Sequence, residues 1–297
     1  MSSANAGGDY GGGGDSDRAA PPVAISVVLI SFAGTTEANL AAARDLGFRY
    51  VQLRNVGTDL TVDELTPRRR EELLARLAAD GLSISSLSGG YGRLADPGKA
   101  EERVEKERAL GRLARDLGCR YVTGHIGSLD DSGWSHRADF LRCIGTWITE
   151  LERDEIVFAV ESGPEHGETL RELIDYFDSP CFRVNLDPAN FLFYGFDLMS
   201  SCDALYDVSV HFHCKDAARR RSFDPNAQSS VADYPDAVHA DEVAAGTGEV
   251  PFALILSELA RRQVVRVAAV ERESGSDRAA DVRSAKALLE QYFDCGK

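Results

Sequence analysis

The chain has 297 residues, 43% of them hydrophobic, with 33 Lys and Arg against 48 Asp and Glu and a net charge of −15. That length admits one large domain or two ordinary ones, with a core that needs no disulfide staples. The acidic balance disfavours nucleic acid and anionic membrane surfaces as partners, and no apolar run approaches the roughly 18 residues of a membrane span.

Residues 1–22 are rich in Gly, Ser and Asp and are expected to form a disordered leader. They lack the basic and apolar regions of a signal peptide. Residues 23–297 are expected to form one catalytic domain. The six cysteines have no CxxC pair and no regular spacing, which suits reduced thiols in the cytoplasm.

The first apolar run, 24–32, reads as a strand. A helix is expected over 37–46, ending at Gly47, and a β-branched and aromatic strand over 48–54. A helix over 64–79 and a strand over 82–88 follow. Asp96-Pro97 reads as the start of a helix running to Leu117. The alternation then continues. Strands are expected at 120–126, 156–162, 182–188, 208–214 and 265–271. Helices are expected near 135–152, 168–177, 197–205, 251–262 and 278–293. A polar stretch, 217–247, interrupts the rhythm. Eight strand–helix units in about 275 residues match an α/β (β/α)8 TIM barrel. Strict alternation excludes sandwiches and helical bundles. The first strand–helix turn lacks GxGxxG, which disfavours a dinucleotide site.

The polar residues of these strands gather at their C-terminal ends. His125, Glu161, Asp187, His211, His213, Lys215 and Glu271 all stand there. In a barrel those tips converge on one rim, where active sites sit. An acid at the tip of an apolar strand escapes uncompensated burial only at such a rim. Three carboxylates and an imidazole suit Mn²⁺, Fe²⁺, Co²⁺ or Zn²⁺ better than Ca²⁺. Arg54 falls on a rim segment with no local signal to decide its role, and Glu273 reads as support for the rim. The Arg-rich run 217–223 is a solvated loop or a phosphate grip.

ESG at 161–163, NLDPANF at 185–191, HFHCKD at 211–216, GTGEVPF at 246–252 and VERE at 270–273 occur in that order. Together they resemble the xylose isomerase-like, sugar phosphate isomerase/epimerase TIM-barrel superfamily. The resemblance implies Glu161, Asp187, His213 and Glu271 as ligands of one divalent ion, Mn²⁺ first, with Mg²⁺, Co²⁺, Fe²⁺ and Zn²⁺ as alternatives. It implies isomerisation or epimerisation of a sugar or cyclitol carbonyl through an enediolate, with Glu161 and Glu271 as acid and base. Lys215 and His125 would stabilise the enolate oxygen or protonate a leaving hydroxyl. His211 would orient a ligand or touch substrate. Asn190 stands where many epimerases of the family carry His, and is expected at the substrate. Glu249 would shape the start of the following helix or contact substrate. Expulsion of a β-substituent from the same enolate would make the site a lyase, of the inosose or dehydroshikimate dehydratase type or a 3-keto-glycoside eliminase. The charge disfavours a nuclease of the same superfamily. A non-catalytic sugar-binding barrel is the alternative outside enzymes, and a homo-oligomer is left open.

Overall fold

The computed structural model describes residues 22–54, 65–96, 98–129, 138–221 and 238–293. Nearly all of the expected leader lies outside them. Eight parallel strands close into a barrel: β1 (Ala24–Val28), β2 (Tyr50–Arg54), β3 (Ser83–Ser88), β4 (Tyr121–Gly124), β5 (Val157–Glu161), β6 (Phe182–Leu186), β7 (Ser209–Cys214) and β10 (Val267–Val270). Each lies beside its neighbour in chain order, and β10 closes the ring against β1 and β7. Helices α1 (Thr36–Asp45), α2 (Pro67–Ala79), α3 (Ala100–Asp116), α4 (Ala138–Asp154), α5 (Gly167–Phe177), α7 (Leu198–Leu205), α8 (Phe252–Arg262) and α9 (Arg278–Leu289) follow the strands, with a short α6 (Pro188–Phe193) directly after β6. Among the described residues, no helix is long and apolar enough to cross a membrane.

The elements follow local chemistry. Thr35, Thr66, Asp197 and Asp277 cap α1, α2, α7 and α9 by accepting a backbone N–H. Pro67 stands at the first turn of α2, where its missing N–H costs nothing. Alternation along each strand sends one set of side chains toward the helices and the other into the barrel. On β5, β6 and β7 the outward set includes Phe158, Val184 and Phe212, all buried. Trp147 of α4 packs against Phe158 with ring centres 4.6 Å apart and the planes tilted by 46°. Such burial is the main stabilising term, at about 25 cal/mol per Å² of apolar surface.

The barrel interior is more polar than the branched-aliphatic filling common to this architecture. Ser26 Oγ meets Ser85 Oγ at 2.7 Å, Ser86 Oγ meets His211 Nε2 at 3.1 Å, and Gln52 Nε2 donates to Thr123 Oγ1 at 3.2 Å. These groups are satisfied by one another, which removes most of the cost of burying them.

Besides shifts of a few residues at element ends, three features differ from the sequence expectation. The first strand ends at Val28, and Leu29–Phe32 form a 3-10 turn. The apolar run continues because the turn itself is packed: Leu29 is buried and Ser31 Oγ accepts the Arg272 N–H. Helix α3 starts at Ala100, not at 96–97. Gly98, at φ +69°, takes a left-handed conformation that no α-helix continues through, and Asp96 pairs with Arg103. Pro97 lies outside the described residues. The polar stretch 217–247 contains a two-stranded antiparallel ribbon of β8 (Asp216–Arg219) and β9 (Ala240–Val243), with 222–237 outside the described residues. In its Arg-rich run, Arg219 pairs with Glu249 and Arg220 with Asp241. The five described cysteines are free thiols.

Glu107 of α3 is buried behind Gly89 and Gly124, where a Cβ on either glycine would lie 2.9 Å from its Oε1. Burial pushes this carboxyl up to about 8. A carboxyl raised on folding contributes stability that is complete below its ordinary value near 4.5 and is lost as pH climbs toward 8. Glu107→Gln is therefore expected to gain stability relative to wild type between pH 5 and pH 8, by at most about 1.4 kcal/mol per pH unit. Urea unfolding at both pH values checks this; a constant difference would show that Glu107 is ionised in the folded protein.

Candidate functional site

Strand register brings the acids together. Glu161, Asn185, His211 and Val267 are successive cross-strand partners on β5, β6, β7 and β10. Two residues beyond Asn185 stands Asp187, two beyond His211 stands His213, and four beyond Val267 stands Glu271. Even offsets keep all of them on the inward face. One ligand atom each from Glu161, Asp187, His213 and Glu271 lies within 4.8 Å of the other three, and all four residues are buried.

Each member is held by its own surroundings. His213 Nδ1 lies 3.3 Å from Glu161 Oε1, 3.2 Å from Glu271 Oε2 and 3.9 Å from Asp187 Oδ2. Asp187 caps α6, its Oδ1 accepting the Ala189 N–H at 3.0 Å. Its backbone N–H donates to Ser162 Oγ at 2.9 Å. Asp187 Oδ2 is buried with no hydrogen-bond partner among the described residues. Lys215 Nζ donates to Glu271 Oε2 at 3.1 Å and stands 3.9 Å from Asp187 Oδ2.

The electrostatics follow from burial and crowding. Burial works against the charge on Glu161, but the His125 and His213 rings outweigh it and hold the carboxyl well below its usual range. Burial likewise opposes Glu271, and Lys215 and His213 overcome it. Asp187 is different: burial, with Glu161 and Glu271 nearby, raises it to about 8 against the pull of Lys215. His213 is pushed down by burial but raised to about 10 by Glu271 and Glu161. Lys215 is desolvated, yet Glu271 and Glu273 keep it charged.

An orphaned buried carboxylate oxygen beside two further carboxylates and an imidazole is the donor set of a divalent cation site, and these residues fit such an ion. Hard oxygens with one nitrogen suit Mg²⁺, Mn²⁺ and their neighbours, with no selection of one metal.

The cleft above this cluster is lined by Gln52, Arg54, Ser88, Tyr91, His125, Glu161, Asn190, Lys215, Glu271 and Glu273, among others. His125 Nε2 stands 3.4 Å from Glu161 Oε1. Asn190 Nδ2 donates to Ser162 O at 2.9 Å and to Glu161 Oε1 at 3.3 Å. Two expected contacts lie elsewhere. His211 does not line the cleft; it is fully buried below His213, with Nδ1 on Asn185 Oδ1 at 2.8 Å and Nε2 on Ser86. Glu249 is on the ribbon side, where its carboxylate accepts from the Arg219 N–H at 2.6 Å and from the Arg219 guanidinium at 2.8 Å. Lys215 and Asp216 do not pair locally. Asp216 accepts four backbone N–H groups, from Ala217, Gly246, Gly248 and Val250, and so pins the 246–250 loop beside the site. A Cβ on Gly248 would meet Asp216 Oδ1 at 2.3 Å, so glycine is required there.

Sequence reasoning missed Gln52 and left Arg54 undecided. Arg54 Nη1 lies 2.6 Å from Glu273 Oε1 and 3.9 Å from Glu271 Oε1. The available signal was position: both side chains interrupt the apolar second strand at inward places near its tip.

Comparison with known proteins agrees with this geometry. The family model described as xylose isomerase-like TIM barrel matches residues 40–292. A xylose isomerase domain protein from Planctomyces limnophilus superposes with a TM-score of 0.73 at 22% identity, covering 91% of this chain and 96% of that one. A probable 3-DHS dehydratase, AsbF, from Bacillus anthracis gives 0.68 at 19% identity, with coverages of 90% and 98%. An L-ribulose 3-epimerase gives 0.69 at 16% identity, with coverages of 91% and 95%. No curated protein matches the chain in sequence. The barrel, its rim of acids and the match over 40–292 together place the chain in the xylose isomerase-like TIM-barrel family.

Proposed function

We propose that this protein is a divalent-metal-dependent isomerase or epimerase acting on the carbonyl of a neutral sugar or cyclitol. The observation that carries the reading is the convergence of Glu161, Asp187, His213 and Glu271, with Asp187 Oδ2 left without a hydrogen bond among the described residues. These four residues would hold the ion. When bound, it supplies Lewis-acid polarisation of a carbonyl and a template for adjacent hydroxyls.

The chain's own groups then divide the proton work. Glu161 stands on β5 and Glu271 just past β10, with β6 and β7 between them in the ring. They therefore approach a bound substrate from two sides. One carboxylate takes the proton from the carbon next to the carbonyl, and an enediolate forms. Return of a proton by the other, on the opposite face, inverts that carbon. Return to the former carbonyl carbon moves the carbonyl instead. His125 beside Glu161 and Lys215 beside Glu271 give each carboxylate a neighbour for proton exchange.

The charge pattern of the cleft supports a neutral substrate. Lys215 is matched by Glu271 and Glu273, and Arg54 by Glu273. An anionic group entering here would have to displace a buried carboxylate from its cation, which is costly. A second reading, β-elimination, draws on Lys215. Its charged ammonium, in the cleft and 3.1 Å from Glu271, is placed to protonate a departing hydroxyl.

Three outcomes are expected. Mn²⁺ should raise the melting temperature of the wild type, the effect reaching about 2.7 kcal/mol at 100-fold excess over Kd. Asp187→Asn should lose that shift, and a wild type indifferent to Mn²⁺, Mg²⁺, Co²⁺ and Zn²⁺ sinks the proposal. With ketoses in D₂O, the loaded enzyme should place deuterium on the substrate carbon skeleton without loss of water. Loss of water would select the elimination reading, and no exchange in any ketose or cyclitol ketone would contradict both. Ligand-observed NMR should find neutral ketoses bound more tightly than their phosphates or uronate analogues; the reverse order would refute the neutral-substrate assignment.

A further inference from the structure

We propose that Gln52 is a positioning residue that fixes the His213 ring in the tautomer a cation requires. The inference rests on the metal-dependent reading above. It starts from the two ring nitrogens of His213. Nδ1 faces the carboxylates, 3.2 Å from Glu271 Oε2 and 3.3 Å from Glu161 Oε1. Nε2 faces away from them and meets Gln52 Oε1 at 3.2 Å.

An amide oxygen only accepts, so its partner must carry the proton. With a proton held on Nε2, the Nδ1 proton that Glu161 and Glu271 favour is the one a cation would displace, and the lone pair so freed goes to the ion. The opposite orientation of the Gln52 amide would set an N–H against Nε2. It would drive the ring proton to Nδ1, into the cluster, where it would block an ion. The two orientations therefore make opposite predictions for the ring.

Gln52 is itself anchored. Its Nε2 donates to Thr123 Oγ1 at 3.2 Å, and the side chain is 1% exposed. It stands on β2, three places from β7 around the barrel, so the hydrogen bond crosses the barrel interior. Among the described residues, no other acceptor oxygen meets Nε2. The Asn185 amide nitrogen lies 3.3 Å from both ring nitrogens and favours neither, while its oxygen is taken by His211. His211 contacts His213 ring to ring, at 5.2 Å between centres. Outer partners of this kind set ring orientation and ligand basicity, and their loss typically costs about 10–100-fold in metal affinity.

The test uses the full chain with Zn²⁺ as the probe. Nitrogen-15 NMR of the Zn²⁺-loaded wild type should show His213 protonated on Nε2 and bound through Nδ1. Calorimetry should find Zn²⁺ affinity lowered about 10–100-fold in Gln52→Met, which keeps the length and removes the acceptor. Gln52→Glu, which restores an acceptor oxygen, should recover most of the loss. Urea unfolding of the metal-free variants controls for folding. Zn²⁺ bound through Nε2, or Gln52→Met with unchanged affinity, overturns the role of Gln52. Should Gln52→Met fail to fold, the wild-type spectrum alone decides between the two tautomers. A wild type that takes up no Zn²⁺, Mn²⁺ or Mg²⁺ is a distinct result, which overturns the metal-dependent reading itself.

Discussion

Three carboxylates whose oxygens lie within 4.8 Å of one another, in a buried site, repel each other strongly. That repulsion is the constraint around which the rim is organised. Without compensation it would force protonation or unfolding. The chain supplies part of the compensation: His213 between Glu161 and Glu271, Lys215 against Glu271, and Arg54 at 3.9 Å from Glu271. Asp187 is the member these groups do not satisfy, and burial drives it toward its neutral form. A divalent cation would settle all three acids at once, because each would gain a ligand bond in place of a like-charged neighbour.

The barrel is what makes such crowding affordable. Parallel strands deliver every C-terminal tip to one rim, and outward apolar faces such as Phe158 and Phe212 lock them beneath the helices. The inward faces carry hydrogen-bonding groups in tiers. Ser26, Ser85 and Ser86 lie deeper, His211 and Asn185 come next, and the acids stand at the mouth. Hydrogen bonds link these tiers from Ser85 through Ser86 and His211 to Asn185. Asp216 extends this to the loops. By gathering four amides it ties the 246–250 turn and the β8–β9 ribbon to the strand that carries His213 and leads into Lys215.

Much of this was legible in the residues. Strand–helix alternation is written in hydrophobic period, and the acids at strand tips stand out because nothing else in an apolar strand tolerates a charge. Asp187 faces two ways in the geometry: Oδ1 caps α6 while Oδ2 faces the cluster. What the residues did not disclose depends on pairing across the barrel. Arg54 and Glu273 are 219 positions apart, and Gln52 and His213 are 161 apart. No local pattern encodes such contacts. His211 and His213 share one strand face, and only the family resemblance told them apart; in the barrel His211 bonds to Asn185 and Ser86 while His213 meets the carboxylates. Glu249 sits in a motif beside the site, but its carboxylate turns to Arg219. The apolar run 24–32 hid a turn, because a buried 3-10 segment is as hydrophobic as a strand.

The central claim is that one divalent ion is held by Glu161, Asp187, His213 and Glu271. Anomalous diffraction from crystals soaked in Mn²⁺ tests it most directly. The account predicts one strong anomalous peak at about 2.0–2.3 Å from a ligand atom of each of the four residues, with His213 bound through Nδ1. An empty cluster at saturating Mn²⁺, or a peak held by other residues, would contradict it.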